Sequence, residues 1–175
     1  RFVTAVAARC SQLLNYKALA DDADIDMPTA KNWVNILETL GIIFLLHPYS
    51  NNVLKRTIKT PKVYFYDTGL VCYLTRWSSP EVAESGAMSG ALLENFTVSE
   101  IMKSYQNAGL EPYLYFYRDR DAKEIDVILE GDGKLCPLEI KKTATPDKRL
   151  TRVFSVMDRS PLQLGTGADI ANVCN

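Results

Sequence analysis

Apolar positions along this chain recur with two periods, and the change from one to the other divides it. In the first eighty residues the helical period dominates. Residues 2–14 read as one helix, and Asn15 is placed to cap a second over 16–23. The acids Asp21, Asp22, Asp24 and Asp26 thicken the turn that follows. Pro28 opens a third helix, in which Trp33, Ile36, Leu37 and Leu40 recur at i, i+3, i+4 and i+7 and predict one apolar face. Gly41 closes it. Residues 42–46 and 62–66 read as strands, with a loop or wing over 49–61 between them. Three helices followed by a hairpin is the outline of a winged helix, and a further helix over 68–74 is expected to pack on it. The stretch 77–87, with Ser78-Ser79-Pro80, reads as the linker, so the expected domains are 1–80 and 86–175.

The second half reads helix, three strands, helix, strand. The helix covers about 87–107, and a first strand covers 113–117, followed by a charged turn over 118–123. The sequence then alternates with period two. Gly131-Asp132-Gly133 lies between two such runs, and Asp-Gly flanked by alternating apolar residues signals a two-residue hairpin turn. With Asp132 and Gly133 in the loop, Gly131 faces Lys134, Asp126 faces Glu139 and Glu124 faces Lys141. Alternation puts those four charged residues on one face, and Ile125, Val127, Leu129, Cys136, Leu138 and Ile140 on the other, which reads as core. Opposed residues sit about 5 Å apart at Cβ. Two carboxylates and a lysine converging on one patch of sheet can hold a divalent metal and a water. A cross-strand charge ladder on a solvent face would use the same residues. A helix over 146–157, with Val153, Val156 and Met157 toward the sheet, and strands over 162–164 and 169–174 complete the pattern.

Composition narrows the function classes. With 47% hydrophobic and 23% charged residues, 175 positions describe one or two ordinary globular domains. No run approaches the ~20 apolar residues of a membrane helix. The start, Arg1-Phe2-Val3-Thr4, has neither an initiator Met nor a leader, and reads as a piece of a longer cytoplasmic protein. Cys10, Cys72, Cys136 and Cys174 are widely spaced and read as reduced thiols. His47 is the sole histidine and reads as structural. Gly131-Asp132-Gly133-Lys134 lacks the remaining glycine and the hydroxyl residue of a phosphate-binding loop, so no ATP site is expected in this stretch. The net charge of −1 divides into +3 over residues 1–80 and −4 over 81–175. Between Ser50 and Lys62 lie Lys55, Arg56, Lys59 and Lys62 with no acid, a set that a wing would turn toward phosphates or simply toward solvent. The third helix offers Lys31, Asn32, Asn35 and Glu38, nearly neutral for a recognition helix.

An Asp followed on the next strand by Glu-x-Lys resembles the PD-(D/E)XK nuclease superfamily. That resemblance implies a restriction-endonuclease-like mixed sheet with flanking helices, so the expected class is α+β or α/β. It implies that Asp126 and Glu139 bind Mg²⁺ or Mn²⁺, that Lys141 assists the attacking water, and that a Glu on the preceding helix joins them. Gly90-Ala91-Leu92-Leu93-Glu94 fits that last place. Glu94 shares an apolar stripe with Val98, Ile101 and Tyr105 and is favoured over Glu100, which sits on a more mixed face. Ile125 stands where the superfamily pattern has Pro. More narrowly, the runs Pro28 to Lys31, Leu37 to Gly41, Tyr49 to Asn52, Pro61 to Leu70, Gly90 to Glu100, Glu124 to Asp126 and Pro137 to Lys141 resemble the C-terminal region of a bacterial AAA+ ATPase family. That implies an ATPase domain upstream as partner, an oligomer formed through it, and DNA as ligand.

Two expectations follow. In one, residues 86–175 are a metal-dependent nuclease whose catalytic residues are Glu94, Asp126, Glu139 and Lys141, with the first domain gripping the substrate. In the other, the nuclease fold is a non-catalytic binding or assembly module.

Overall fold

A computed structural model describes residues 1–50, 58–143 and 150–171. It is a mixed α+β structure with two sheets, and it divides into two compact units: residues 1–45 with 61–100, and residues 46–60 with 101–175. The units do not part at the expected linker. Residues 77–87 instead include a capped helix, and the segment between the first unit's two long strands belongs to the second unit.

The first unit runs α1 (Phe2–Ala7), β1 (Gln12–Leu13), α2 (Tyr16–Ala23), α3 (Met27–Thr39), β2 (Ile43–Leu46), β3 (Lys62–Phe65), α4 (Thr68–Thr75), α5 (Pro80–Ser85) and the first part of α6 (Ser89–Asn107). The sheet order is β1-β3-β2. The first helix is shorter than expected because β3 captures the backbone after it. Ser11 turns at φ +62°, and its N–H donates to the Val63 carbonyl at 2.8 Å. The Leu14 N–H donates to Pro61 at 2.8 Å. Asn15 caps α2 as expected, accepting from the Ala18 N–H, while Asp26 caps α3 and Asp67 caps α4. Gly41 takes φ +67° just past α3, a conformation that favours glycine. The core gathers Val6, Cys10, Leu19, Val34, Leu37, Ile43, Phe65 and Val71.

The face of α3 is shifted from the expected one. Ala30, Val34 and Leu37 are buried, whereas Trp33, Ile36 and Leu40 are 39%, 46% and 65% exposed. An i, i+3, i+4, i+7 pattern admits two adjacent stripes, and contact with α2 selects the one with the smaller residues.

The second unit's sheet is built from β4 (Leu114–Arg118), β5 (Glu124–Gly131), β6 (Lys134–Lys141), β7 (Gln163–Leu164) and β8 (Ala168–Ala171). β4, β5 and β6 pair antiparallel, and β7 and β8 both run parallel to β6. The hairpin has the expected register, Gly131↔Lys134 through Val127↔Leu138, with Asp132 and Gly133 at φ 51° and 71° in the turn. The free edge of β4 is covered by residues of the same unit that lie between β2 and β3 in sequence. The Phe116 N–H donates to the His47 carbonyl, and the Tyr49 and Ile58 N–H groups donate to the Phe116 and Arg118 carbonyls. Residues after the hairpin form a 3-10 helix, Leu150–Arg159; the earlier part of the expected helix lies outside the described residues.

Both faces of this sheet are covered, which alternation alone did not anticipate. Ile125, Val127 and Ile140 are buried as expected. Ile128 and Leu135 fall on the same side as the acids, yet they are fully buried in a cluster with Phe154 and Met157.

Candidate functional site

The hairpin register brings Asp126, Glu139 and Lys141 together. Both carboxylates are buried, 5% and 6% exposed. Lys141 Nζ lies 2.8 Å from Glu139 Oε1 and 3.7 Å from Asp126 Oδ2, bridging the pair. Asp126 is also fixed by the backbone: the Ile140 N–H donates to its Oδ2 at 2.8 Å. A carboxylate taken out of water needs such partners, and here a backbone donor and an ammonium supply them. Glu124, expected opposite Lys141, instead accepts from Arg118 Nη1 at 2.8 Å. The cross-strand register Arg118↔Glu124 sets these two side by side.

Glu94 lies in the first unit, on α6. Its Oε1 accepts from Lys62 Nζ at 2.8 Å and from the Tyr64 hydroxyl at 2.6 Å. The Lys62 side chain is 3% exposed, so the expectation that it meets phosphate is corrected: it is one half of a buried ion pair. Its place on β3 turns it inward, where an apolar residue would have been expected. Next to Glu94, the fully buried Asn95 holds the last residue of β3. It accepts from the Phe65 N–H and the Cys10 thiol, and donates to the Phe65 carbonyl and the Thr68 hydroxyl. Neither Tyr64 nor Asn95 was singled out from the sequence. The only signal was a polar pair, Glu94-Asn95, inside an otherwise apolar stretch of helix.

Of the basic segment, Lys59 is exposed, while Lys55 and Arg56 lie outside the described residues. Among the described residues no three His, Cys, Asp or Glu side chains are grouped so as to hold a metal ion. The donor set in the second unit is therefore a carboxylate pair. Hard oxygen donors suit Mg²⁺, which commonly takes one or two carboxylates and completes its shell with water and substrate phosphate. The position that Lys141 takes between the two carboxylates already favours a cation.

Two domain families each match a little under half of this chain. Residues 89–168 match a domain of unknown function, DUF4143, and residues 1–81 match another, DUF8612. Over 144 residues the chain is 31% identical to an uncharacterized protein of Mycobacterium bovis and to one of Mycobacterium tuberculosis. Each match takes in 82% of this chain and 32% of the relative, so the chain spans about a third of the length of the curated relatives it matches. No solved structure matches it.

Proposed function

We propose that the second unit carries a metal-dependent nuclease-like site acting on DNA phosphodiesters, and that the first is a winged-helix-like module. The observation that carries the reading is the juxtaposition of Asp126, Glu139 and Lys141 where β5 begins and β6 ends, with both acids buried. A metal held by Asp126 and Glu139 would lower the pKa of a bound water and neutralise the scissile phosphate. Asp126 is pre-set for that task by the Ile140 N–H, so it loses little freedom on binding. Lys141 holds an ammonium beside both acids, where it can donate to an attacking water or to a phosphate oxygen. The mixed sheet, an antiparallel hairpin followed by parallel strands, supports the restriction-endonuclease-like fold. The element order of the first unit, with sheet order β1-β3-β2, supports the winged helix.

On this reading the chain is the C-terminal portion of a bacterial, cytoplasmic AAA+ ATPase that oligomerises through its ATPase domain. The exposed Trp33, Ile36 and Leu40 favour protein packing over base reading for α3. Among the described residues no helix is long and apolar enough to cross a membrane.

A second reading keeps the fold and drops the chemistry, leaving a DNA- or protein-binding assembly module. What favours it is that Lys141 already stands as a cation beside both acids and that Glu94 is engaged by Lys62 and Tyr64. Calorimetric titration with Mg²⁺ or Mn²⁺, followed by incubation with labelled single- and double-stranded DNA, separates the two. A nuclease binds metal and cuts, and loses both with Glu139→Ala. Absence of metal binding in the wild-type protein would end the nuclease reading in favour of the second.

A further inference from the structure

Antiparallel pairing brings the start of β5 and the end of β6 to the same end of the second sheet, and β4 ends there too. The β4–β5 turn is tied down from within. The buried Asp119 carboxylate accepts from the Asp121 and Lys123 N–H groups at 2.9 and 3.0 Å, and the Asp119 N–H donates to the Lys123 carbonyl. Its outward residues include Arg120 and Lys123, both exposed. The Ile58 N–H donates to the Arg118 carbonyl at 3.0 Å, so the covering segment delivers Lys59 to this same end. Lys141 and Lys142 close β6 there.

Arg118 is the residue with most left to give. It is about a third exposed and donates through Nη1 to Glu124; its other guanidinium donors have no partner among the described residues. An arginine held by one arm keeps a planar fork suited to a phosphate. The charges at this end come to six cations (Lys59, Arg118, Arg120, Lys123, Lys141, Lys142) and six carboxylates (Asp119, Asp121, Glu124, Asp126, Glu139, Asp169), by residue type. Asp119 is turned inward, Glu124 is met by Arg118, and Asp126 and Glu139 are met by Lys141. Among the described side chains left exposed at this end, Lys59, Arg120, Lys123 and Lys142 stand against Asp121.

We propose that this end of the sheet grips the sugar-phosphate backbone of a nucleic acid, with Arg118 as the phosphate-binding residue and Arg120, Lys123 and Lys59 as flanking contacts. The proposal rests on reading the acid pair as a phosphodiester site, and it moves the grip from the first unit to the β4–β5 turn. A nucleic acid fits better than an acidic peptide because its charge repeats regularly along each strand, matching cations set on three separate segments.

The test is fluorescence anisotropy of a labelled DNA duplex and of its single strand. Titrations run over a salt series, in EDTA and in Ca²⁺, with wild type, Arg118→Gln, the surface double variant Arg120→Gln/Lys123→Gln, and Lys17→Gln as a charge control at an exposed position of α2. Arg120 and Lys123 are exposed, so the double variant tests the grip even if Arg118→Gln unsettles the turn. Each phosphate contact contributes about 0.9 to the slope of log affinity against log salt. The expected result is a slope smaller by about 1 for Arg118→Gln and about 2 for the double variant, with Lys17→Gln unchanged. Wild-type binding with equal slopes in all variants would overturn the grip. So would absence of wild-type binding to either DNA. In both cases metal binding that is lost in Glu139→Ala would leave the acid site standing, and only its loss in wild type as well would remove that reading.

Discussion

Replacing Glu94 by Ala removes the carboxylate from an ion pair whose lysine is 3% exposed. Lys62 then faces the interior of the first unit without that counter-charge, and Tyr64 loses the acceptor held at 2.6 Å. Breaking a buried pair from one side typically costs about 3–5 kcal/mol. Glu94 itself keeps 16% exposure, which places the expected loss near the lower end, at about 3 kcal/mol. The exposed pair Lys17–Asp21, at 77% and 63% exposure, has the same 2.8 Å separation, yet its loss should cost less than about 0.5 kcal/mol. Burial, not distance, separates the two. The assay is urea unfolding followed by tryptophan fluorescence, because Trp33 and Trp77 both lie in the first unit. Glu94→Leu combined with Lys62→Met should recover stability to within about 1 kcal/mol of wild type, since neither charge is then stranded. A loss below about 1 kcal/mol for Glu94→Ala would refute the structural assignment. If that variant instead kept its stability and lost Mg²⁺ binding, Glu94 would be the metal ligand that the nuclease resemblance implies.

A Cβ on Gly86 would overlap ring carbons of Trp77, so Gly86→Ala should destabilise by about 1–3 kcal/mol and alter the indole fluorescence. An unchanged urea midpoint would show that the ring moves freely. Burial pushes the Cys10 thiol up to about 12, so iodoacetamide at pH 8 should alkylate it far more slowly than the half-buried Cys136 in native protein. Equal rates by peptide mass spectrometry would contradict the burial. The Asp26 carboxyl is held below its ordinary value by hydrogen bonding at Thr29. Its capping contribution is thus full above the unfolded carboxylate's pKa near 3.8 and is lost as pH falls through the lower folded one. Asp26→Ala should therefore melt earlier than wild type at pH 7, with the gap closing in strong acid; a gap that persists below pH 2 would refute the assignment.

Local rules made much of this protein legible. Asn15 as a cap, Pro28 at the start of α3, Gly41 at its end and the Asp132-Gly133 turn each act over a few residues, so the sequence alone determined them. The hairpin register followed from the turn, and with it the convergence of Asp126, Glu139 and Lys141. Only tertiary structure decided the rest, because those outcomes depend on partners distant in the chain. The residues after Ala7 became β1 because β3 offered its backbone. Which stripe of α3 was buried depended on what packed against it. His47, Tyr49 and Ile58 bond to β4 because that strand had an open edge. Glu94 and Lys62, thirty-two positions apart, found each other because a charge removed from water must be answered by another charge, and sequence spacing carries no record of which one will be near.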